Sequence, residues 1–294
     1  MTGRHGPALV VTRHGGPEVL AVEDRPAREP GAGEVLVEVA AVGVNFIDVY
    51  QREGVYPTSP PFVLCSEGAG TVVATGDGVT TTAPGARVAW AMTGGTGARF
   101  ATLAAEDVVE VPDAVDLDVA AAVMLQGMTA HYLVTSTYPV AAGTRAVVHA
   151  AAGGVGQLLV QMLTARGATV VATAGGPEKC AVAAARGADH VIDYRATDDL
   201  AAALRDALGD PGADVVYDGV GRDTFDASLA SLRRRGMMVL FGASSGQVPP
   251  FDIQRLNSGG SLFLTRPTLS HHLATREELT WRAGEVLGAV ADGS

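Results

Sequence analysis

One stretch of this chain carries spacing suited to holding a phosphate. Ala151-x-Gly153-x-x-Gly156 is the dinucleotide fingerprint G-x-G-x-x-G with Ala in the first slot. Gly153 lets backbone approach a pyrophosphate, and Gly156 lets a helix lie close on a strand. The residues around it supply both elements. Ala146–Ala150 is short and apolar, as a buried strand would be. Gln157–Arg166 has helical spacing, with Leu158, Val160, Met162 and Leu163 on its apolar face and Gly167 as its stop. A helix N-terminus placed there offers free N–H groups and a positive dipole end to an anion.

The chemistry of the next strand end selects the dinucleotide. An NAD site places an acid about 20 residues beyond the fingerprint, on the ribose hydroxyls. Here the strand ends in Thr173-Ala174-Gly175-Gly176, Lys179 follows, and Tyr194 ends the strand after. A missing acid beside an ammonium favours a 2′-phosphate, hence NADPH. A second motif misleads. Gly242-Ala-Ser-Ser-Gly246 matches the serine-hydrolase elbow G-x-S-x-G, which needs a helix straight after it. Pro249 and Pro250 oppose that helix, so a hydrolase is not expected.

The elements that must position these residues fall into two regions. At 294 residues the chain can hold two domains. Residues 8–120 read as short strands: Ala8–Thr12, Val19–Glu23, Glu34–Val42, Gly70–Thr75 and Arg87–Ala91, separated by Gly- and Pro-rich turns and suited to a partly open barrel. Val119–Tyr138 is a helical pattern. From Thr144 strands and helices alternate, with strands at Ala146–Ala150, Ala168–Ala174, His190–Tyr194, Ala213–Val220, Gly236–Gly242 and Ser261–Arg266. Six strands alternating with helices predict a doubly wound parallel Rossmann sheet in an α/β fold. Arg276–Ala291 is a last helix. The expected division is 1–121, 122–266 and 267–294, the last segment returning to the first domain.

Composition narrows the partners. A net charge of −11 argues against nucleic acid. No apolar run reaches the length of a membrane helix and the start has no apolar signal-peptide core, so a cytoplasmic location is expected. Two cysteines, Cys65 and Cys180, make no disulfide framework.

The motifs together resemble the zinc-independent quinone oxidoreductase branch of the medium-chain dehydrogenase/reductase superfamily. The segments are His14–Leu20, Gly43–Tyr50, Glu67–Gly70, Gln126–Ala130, His149–Gly156, Tyr217–Gly221, Arg234–Gly242 and Thr265–Pro267, in the family's order. The resemblance implies a GroES-like β-rich catalytic domain, a Rossmann domain, NADPH in the cleft, and a homodimer through the edge strand 261–266. It implies further strand and helix beyond residue 294, so the chain is expected to be C-terminally truncated. One departure is Cys65, which stands where the family has Gly; a positive φ there would cost Cys about 1 kcal/mol or more.

The resemblance also implies roles. Asn45 stands at the thiol position and Ser66 at the imidazole position of the related zinc enzymes, and neighbouring His271 and His272 diverge too far to chelate, so no metal is expected. Without a Lewis acid, hydride must go to an electron-poor acceptor, a quinone or an alkene conjugated to a carbonyl. Asn45 would bond the nicotinamide ribose or the substrate carbonyl. Tyr56 resembles the acid tyrosine of 2-enoyl thioester reductases, and Tyr50 and Gln126 would line the pocket. NADPH would meet Asn45, Thr129, Gly153, Gly154, Val155, Gly156, Gly175, Lys179, Tyr194, Val220, Phe241, Gly242, Ser244, Ser245 and Arg266. The expected activity is hydride transfer from NADPH to a quinone. The alternatives are an NADPH-dependent enone or 2-enoyl reductase, and an NADPH-binding protein without significant catalysis.

Overall fold

The computed structural model describes residues 3–293. It divides into two compact units, one running up to Met128 and resuming at His272, the other Thr129–His271. The sequence reading placed these boundaries at 121/122 and 266/267. The first crossing falls inside one continuous helix, where no turn or change of composition marks it.

The first unit is antiparallel. Its strands are β1 (His5–Val11), β2 (Leu20–Pro26), β3 (Glu34–Val42), β4 (Phe62–Val63), β5 (Glu67–Thr75), β6 (Arg87–Ala91), β7 (Phe100–Ala104) and β8 (Val109–Glu110). They form a five-stranded sheet, β7-β3-β5-β6-β8, and a three-stranded sheet, β2-β1-β4. Val35, Val37, Val72, Val88, Trp90 and Leu103 form the core of the larger sheet. Strands β4, β7 and β8 were not foreseen: two are two-residue pairings, and Phe100–Ala104 is a short run of mostly small residues (Phe-Ala-Thr-Leu-Ala).

Helix α1 (Phe46–Glu53) interrupts the strands. Asn45 caps it, and the Asp48 carboxylate accepts the Asn45 backbone N–H at 2.7 Å. Gly54 ends it in the left-handed conformation, at φ 77°. Cys65 does have a positive φ, 68°, although it is not glycine.

Helix α2 (Leu117–Tyr132) follows, continued by a π-helical turn, Leu133–Thr137. The reading that no apolar run is long enough to span a membrane needs correction: Leu117–Thr137 passes by length and composition, with 61% of its most apolar window buried inside the protein. Buried Met124, Met128, Tyr132 and Leu133 explain its apolar character.

The second unit is a six-stranded parallel sheet. Its strands are β9 (Arg145–Val148), β10 (Thr169–Ala174), β11 (His190–Asp193), β12 (Ala213–Asp218), β13 (Leu232–Leu240) and β14 (Phe263–Thr265). The order is β11-β10-β9-β12-β13-β14, every pair parallel. The third, second, first, fourth, fifth and sixth strands thus lie side by side, the doubly wound order. The helices between them are α3 (Gly154–Ala165), α4 (Pro177–Ala185), α5 (Leu200–Leu208), α6 (Phe225–Ser231) and α7 (Gln254–Ser258). Leu204, Leu208, Phe225 and Leu229 from α5 and α6 join Val147, Val171, Val216 and Met238 in one core. The inner strands β9, β10 and β12 are buried on both faces, which explains their continuous apolar runs. At the sheet's edge, β14 leaves Phe263 55% exposed.

The fingerprint differs from its expected form in one detail. The first strand stops at Val148, Ala150 takes φ 51°, and the helix begins at Gly154 rather than Gln157. A side chain at Gly156 would place Cβ 2.3 Å from the Ala150 carbonyl oxygen, so close packing of helix on turn does require glycine there.

Helix α8 (Arg276–Asp292) belongs to the first unit. Thr275 caps it through the Glu278 N–H, and Arg276 donates to the carbonyls of Glu106 and Val108 at 2.6 and 2.5 Å. Gly127 allows α8 to approach α2, since a Cβ there would lie 2.6 Å from Val286.

Candidate active site and dinucleotide pocket

Polar groups gather at a site in each unit. In the first, the N-terminus of α1, the start of β5 and the middle of α2 bring Asn45, Asp48, Glu67 and Gln126 together. Asn45 is 7% exposed and Glu67 fully buried. Asn45 Nδ2 donates to Glu67 Oε2 at 2.6 Å, and Gln126 Nε2 donates to Asn45 Oδ1 at 3.1 Å. The other Glu67 oxygen accepts the Leu125 backbone N–H at 2.6 Å. Gly43 makes this possible: a Cβ there would lie 2.0 Å from Glu67 Oε2. The Asn45 amide therefore has one orientation, set by an acceptor on one side and a donor on the other.

Two buried acids give this site its electrostatics. Burial pushes Glu67 up to about 7, against the hydrogen bonds from Asn45 and Leu125, and nearby Asp48 pushes the same way. Burial likewise pushes Asp48 up to about 6, opposed by the Asn45 N–H. Asp48 Oδ1 has no hydrogen-bond partner. The same surroundings raise the Cys65 thiol to about 12, burial first and then the two acids, so it is no nucleophile at neutral pH.

An aromatic row lies beside these groups. Tyr50 sits 5.1 Å from Phe46 and 5.2 Å from Tyr56, ring centroid to ring centroid. Phe46 is 51% exposed. A flat apolar molecule could stack there. Among the described residues no group of three or more His, Cys, Asp and Glu could hold a metal.

In the second unit a cavity of about 560 Å³ opens at the carboxyl ends of β9, β10 and β12. Doubly wound sheets bind ligands at this reversal of strand order. Of the residues expected to meet NADPH, Gly153, Gly175, Lys179, Tyr194, Val220, Ser244 and Ser245 line it. Gly175 is tight against the site, since a Cβ there would lie 2.5 Å from the Tyr194 hydroxyl. Ser245 is held in place by its own bonds: its hydroxyl donates to the Val220 carbonyl and accepts the Asp223 N–H.

Other expected contacts lie outside the cavity wall. Gly154 and Val155 open the first turn of α3, and Gly156 packs beneath it. Thr129 is buried on α2. Phe241 lies over Gly219, and Gly242 closes on the Gly219 backbone, where a Cβ would meet the carbonyl at 2.4 Å. Arg266 is exposed just past β14. Asn45 belongs to the first unit. No helix follows Gly246 until Gln254, so the hydrolase elbow is absent.

The sequence reading missed several residues. Thr173, Thr197, Asp198, Asp223 and Thr224 also line the cavity, so acids are present although none ends β10. Arg195 Nε comes within 3.0 Å of a Cβ built at Gly175, which places a guanidinium beside Tyr194. Asp193 ties this corner together, accepting the N–H groups of Gly176 and Arg195. The signal for these residues was positional: each lies at or just after a strand end in the same sheet. Glu67 had a signal too, as a lone acid opening an otherwise small and apolar strand.

The comparisons agree across the chain. The GroES-like domain model of alcohol dehydrogenases matches residues 31–142, and the zinc-binding dehydrogenase model matches 154–282. Quinone oxidoreductase 1 of Escherichia coli is 43% identical over 284 residues, covering 96% of this chain and 86% of that protein. A 2-haloacrylate reductase from a Burkholderia species is 39% identical over 280 residues, covering 92% and 84%. A solved E. coli quinone oxidoreductase in complex with NADPH superposes with a TM-score of 0.94 at 40% identity, covering 98% of this chain and 88% of that one. A mycobacterial protein, also complexed with NADPH, reaches 0.93 at 49% identity, covering 98% and 89%.

Proposed function

Since the chain belongs to the quinone oxidoreductase family of the medium-chain dehydrogenase/reductase superfamily, we propose that it is an NADPH:quinone oxidoreductase. The observation that carries this reading is the cavity at the strand-order reversal, lined by Gly153, Lys179 and Tyr194. Gly153 and the N-terminus of α3 would take the pyrophosphate, and Lys179, Tyr194 and Arg195 the 2′-phosphate. NADPH supplies the hydride when bound.

The protein's own residues orient and exclude. Asn45, fixed by Glu67 and Gln126, presents one amide face to the nicotinamide ribose or the acceptor carbonyl. Phe46, Tyr50 and Tyr56 offer a flat apolar surface to a quinone ring. A quinone needs little acid help, because its reduced form delocalises charge and takes protons from water. We propose that no zinc takes part. Asn45 and Ser66 are an amide and a hydroxyl, poor donors for zinc, and the Asn45 amide is already engaged on both sides.

We also propose a cytoplasmic homodimer. Exposed Phe263 on the edge strand β14 supports pairing there, because an uncovered apolar edge invites another strand.

A second reading, enone reduction, is favoured by Tyr56, which packs on Tyr50 in the same aromatic row and carries a hydroxyl able to donate a proton. The test is NADPH oxidation by the purified chain with a para-quinone beside an α,β-unsaturated ketone, and NADH as control. Fast quinone-dependent oxidation of NADPH supports the proposal. Faster enone reduction, lost in Tyr56→Phe, moves the function to alkene reduction. Tight NADPH binding without turnover on either acceptor replaces both with a binding protein.

A further inference from the structure

The second unit holds a buried polar cluster that the reading above leaves unused. His149 follows β9, Thr173 lies near the end of β10, Asp218 ends β12 and Ser228 sits on α6. His149, Asp218 and Ser228 are fully buried, and Thr173 is 1% exposed. Thr173 Oγ1 lies 2.8 Å from His149 Nδ1, and Ser228 Oγ lies 3.0 Å from His149 Nε2. Ser228 Oγ donates to Asp218 Oδ2 at 2.8 Å. Thr224 Oγ1 donates to the same carboxylate at 2.7 Å, and the N–H groups of Val220 and Gly221 donate to Asp218 Oδ1 at 2.8 and 2.9 Å.

Counting protons fixes the direction of this chain. A hydroxyl has one proton to give. Ser228 gives its proton to Asp218, so its oxygen must accept from His149, which requires a proton on Nε2. Burial lowers the His149 pKa, with the Asp218 carboxylate opposing it more weakly, and in the neutral ring Nδ1 is bare. Thr173 must then donate to Nδ1. Donation runs one way, from Thr173 to His149 to Ser228 to Asp218. This Ser–His–Asp grouping is no catalytic triad: the serine is fully buried, and its proton points at the carboxylate rather than at the imidazole.

The receiving end shapes the cavity. Val220 and Thr224 line its wall, and both are held by Asp218. At the other end Thr173 lines the wall too, with its proton spent inward. We propose that Asp218 is a positioning residue for dinucleotide binding: it directs this hydrogen-bond chain, fixes His149 with its proton on Nε2, and holds the Val220–Thr224 turn in its binding shape. The proposal rests on the dinucleotide reading above.

The test combines the nitrogen-15 NMR signature of the His149 ring in the free full chain with the NADPH dissociation constant. In wild type, His149 carries its proton on Nε2 and is neutral at neutral pH. In Asp218→Asn, the amide nitrogen takes the place of Oδ2 and faces Ser228. Ser228 must then donate to His149, the ring proton moves to Nδ1, and the NADPH Kd rises about tenfold, since a charged acceptor becomes a neutral one. Ser228→Ala, which does not touch the cavity wall, covers the case that Asp218→Asn does not fold. It removes the acceptor from Nε2–H, moves the proton to Nδ1, and raises the Kd about threefold. A wild-type His149 protonated on Nδ1, or doubly protonated at neutral pH, overturns the chain. Variants that bind NADPH as tightly as wild type overturn the positioning role. Absent NADPH binding by the wild type removes the dinucleotide reading itself, and shows as a loss common to wild type and variants.

Discussion

The two units each bury a polar cluster, and the clusters are built to opposite ends. Around Asp218 every proton has an acceptor, and the buried charge is met by backbone N–H groups and hydroxyls. Around Asn45, two acids share one buried neighbourhood and one oxygen, Asp48 Oδ1, is left without a partner. An unmet buried polar atom costs about 1–3 kcal/mol. A closed cluster holds shape, whereas an open one holds unspent bonding capacity and protons that exchange near neutral pH. The difference leaves unspent hydrogen-bonding capacity in the first unit's cluster and none in the second's.

The strongest way to break the comparison is to destroy the closed side. Gly156→Ala would put Cβ 2.3 Å from the Ala150 carbonyl oxygen and 2.8 Å from Ala151 Cα, both backbone atoms that cannot turn aside. Thermal unfolding should show several kcal/mol of destabilisation, and NADPH binding should fall at least a hundredfold, about 3 kcal/mol. A Gly156→Ala chain with normal Tm and normal binding would mean that the helix does not need this close approach.

Glu67→Gln acts on the open side. The substitution turns one of the two carboxylate oxygens into an NH₂ group, set against either the Leu125 N–H or the Asn45 amide. Asn45 can answer only by flipping, which gives up the bond from Gln126. Quinone-dependent kcat/KM should fall about thirtyfold, about 2 kcal/mol. The same variant sharpens the electrostatic side of the contrast. Glu67 is held near 7 in the folded protein, above its ordinary 4.5, so the folded state binds more protons than the unfolded state between those values. Stability therefore falls as pH rises through this window, by about 3 kcal/mol for this group. Denaturant unfolding from pH 4 to 8 should show the wild type losing stability relative to Glu67→Gln. Parallel curves would place the Glu67 pKa at its ordinary value.

Lys179→Ala tests whether the rim of the closed unit selects the cofactor. Losing one cation from a phosphate should raise the NADPH Kd about tenfold and leave NADH within about twofold. Equal losses for both would give Lys179 a role outside the 2′-phosphate.

How much of this was legible in the sequence follows from the same contrast. The parallel sheet was readable because its inner strands are short, mostly apolar runs, as at Arg145–Val148 and Thr169–Ala174. The cavity residues after those strand ends followed from topology, which explains why Gly153, Gly175, Lys179 and Tyr194 were found. Thr197 and Asp198 follow a strand end too, but four and five residues beyond β11, where the strand end no longer marks which loop residues turn toward the cavity. The polar clusters were harder. Asn45 came through resemblance, but the need for Gly43 to make room for Glu67 depends on a contact between β5 and the turn before α1. His149 and Ser228 are 79 residues apart, and only the fold brings them within 3.0 Å.

The smallest expected effect concerns Cys65, the one place where the sequence suggested backbone strain in advance. Its φ of 68° costs a residue with a Cβ about 1–2 kcal/mol, which glycine would avoid. Two terms oppose that gain. Glycine loses about 0.5–1 kcal/mol more backbone entropy on folding. The thiol is buried against Val11, Val19 and Leu64, and removing it forfeits about 1 kcal/mol of apolar burial. These nearly cancel, so Cys65→Gly should unfold within about 1 kcal/mol of wild type in denaturant. Cys65→Ala keeps the Cβ and the strain while losing the sulfur, so it should be the less stable of the two variants. The reverse order would mean that the residue at 65 is held by its packing and that the positive φ carries no measurable cost, leaving the acids beside it as the site of strain in the open cluster.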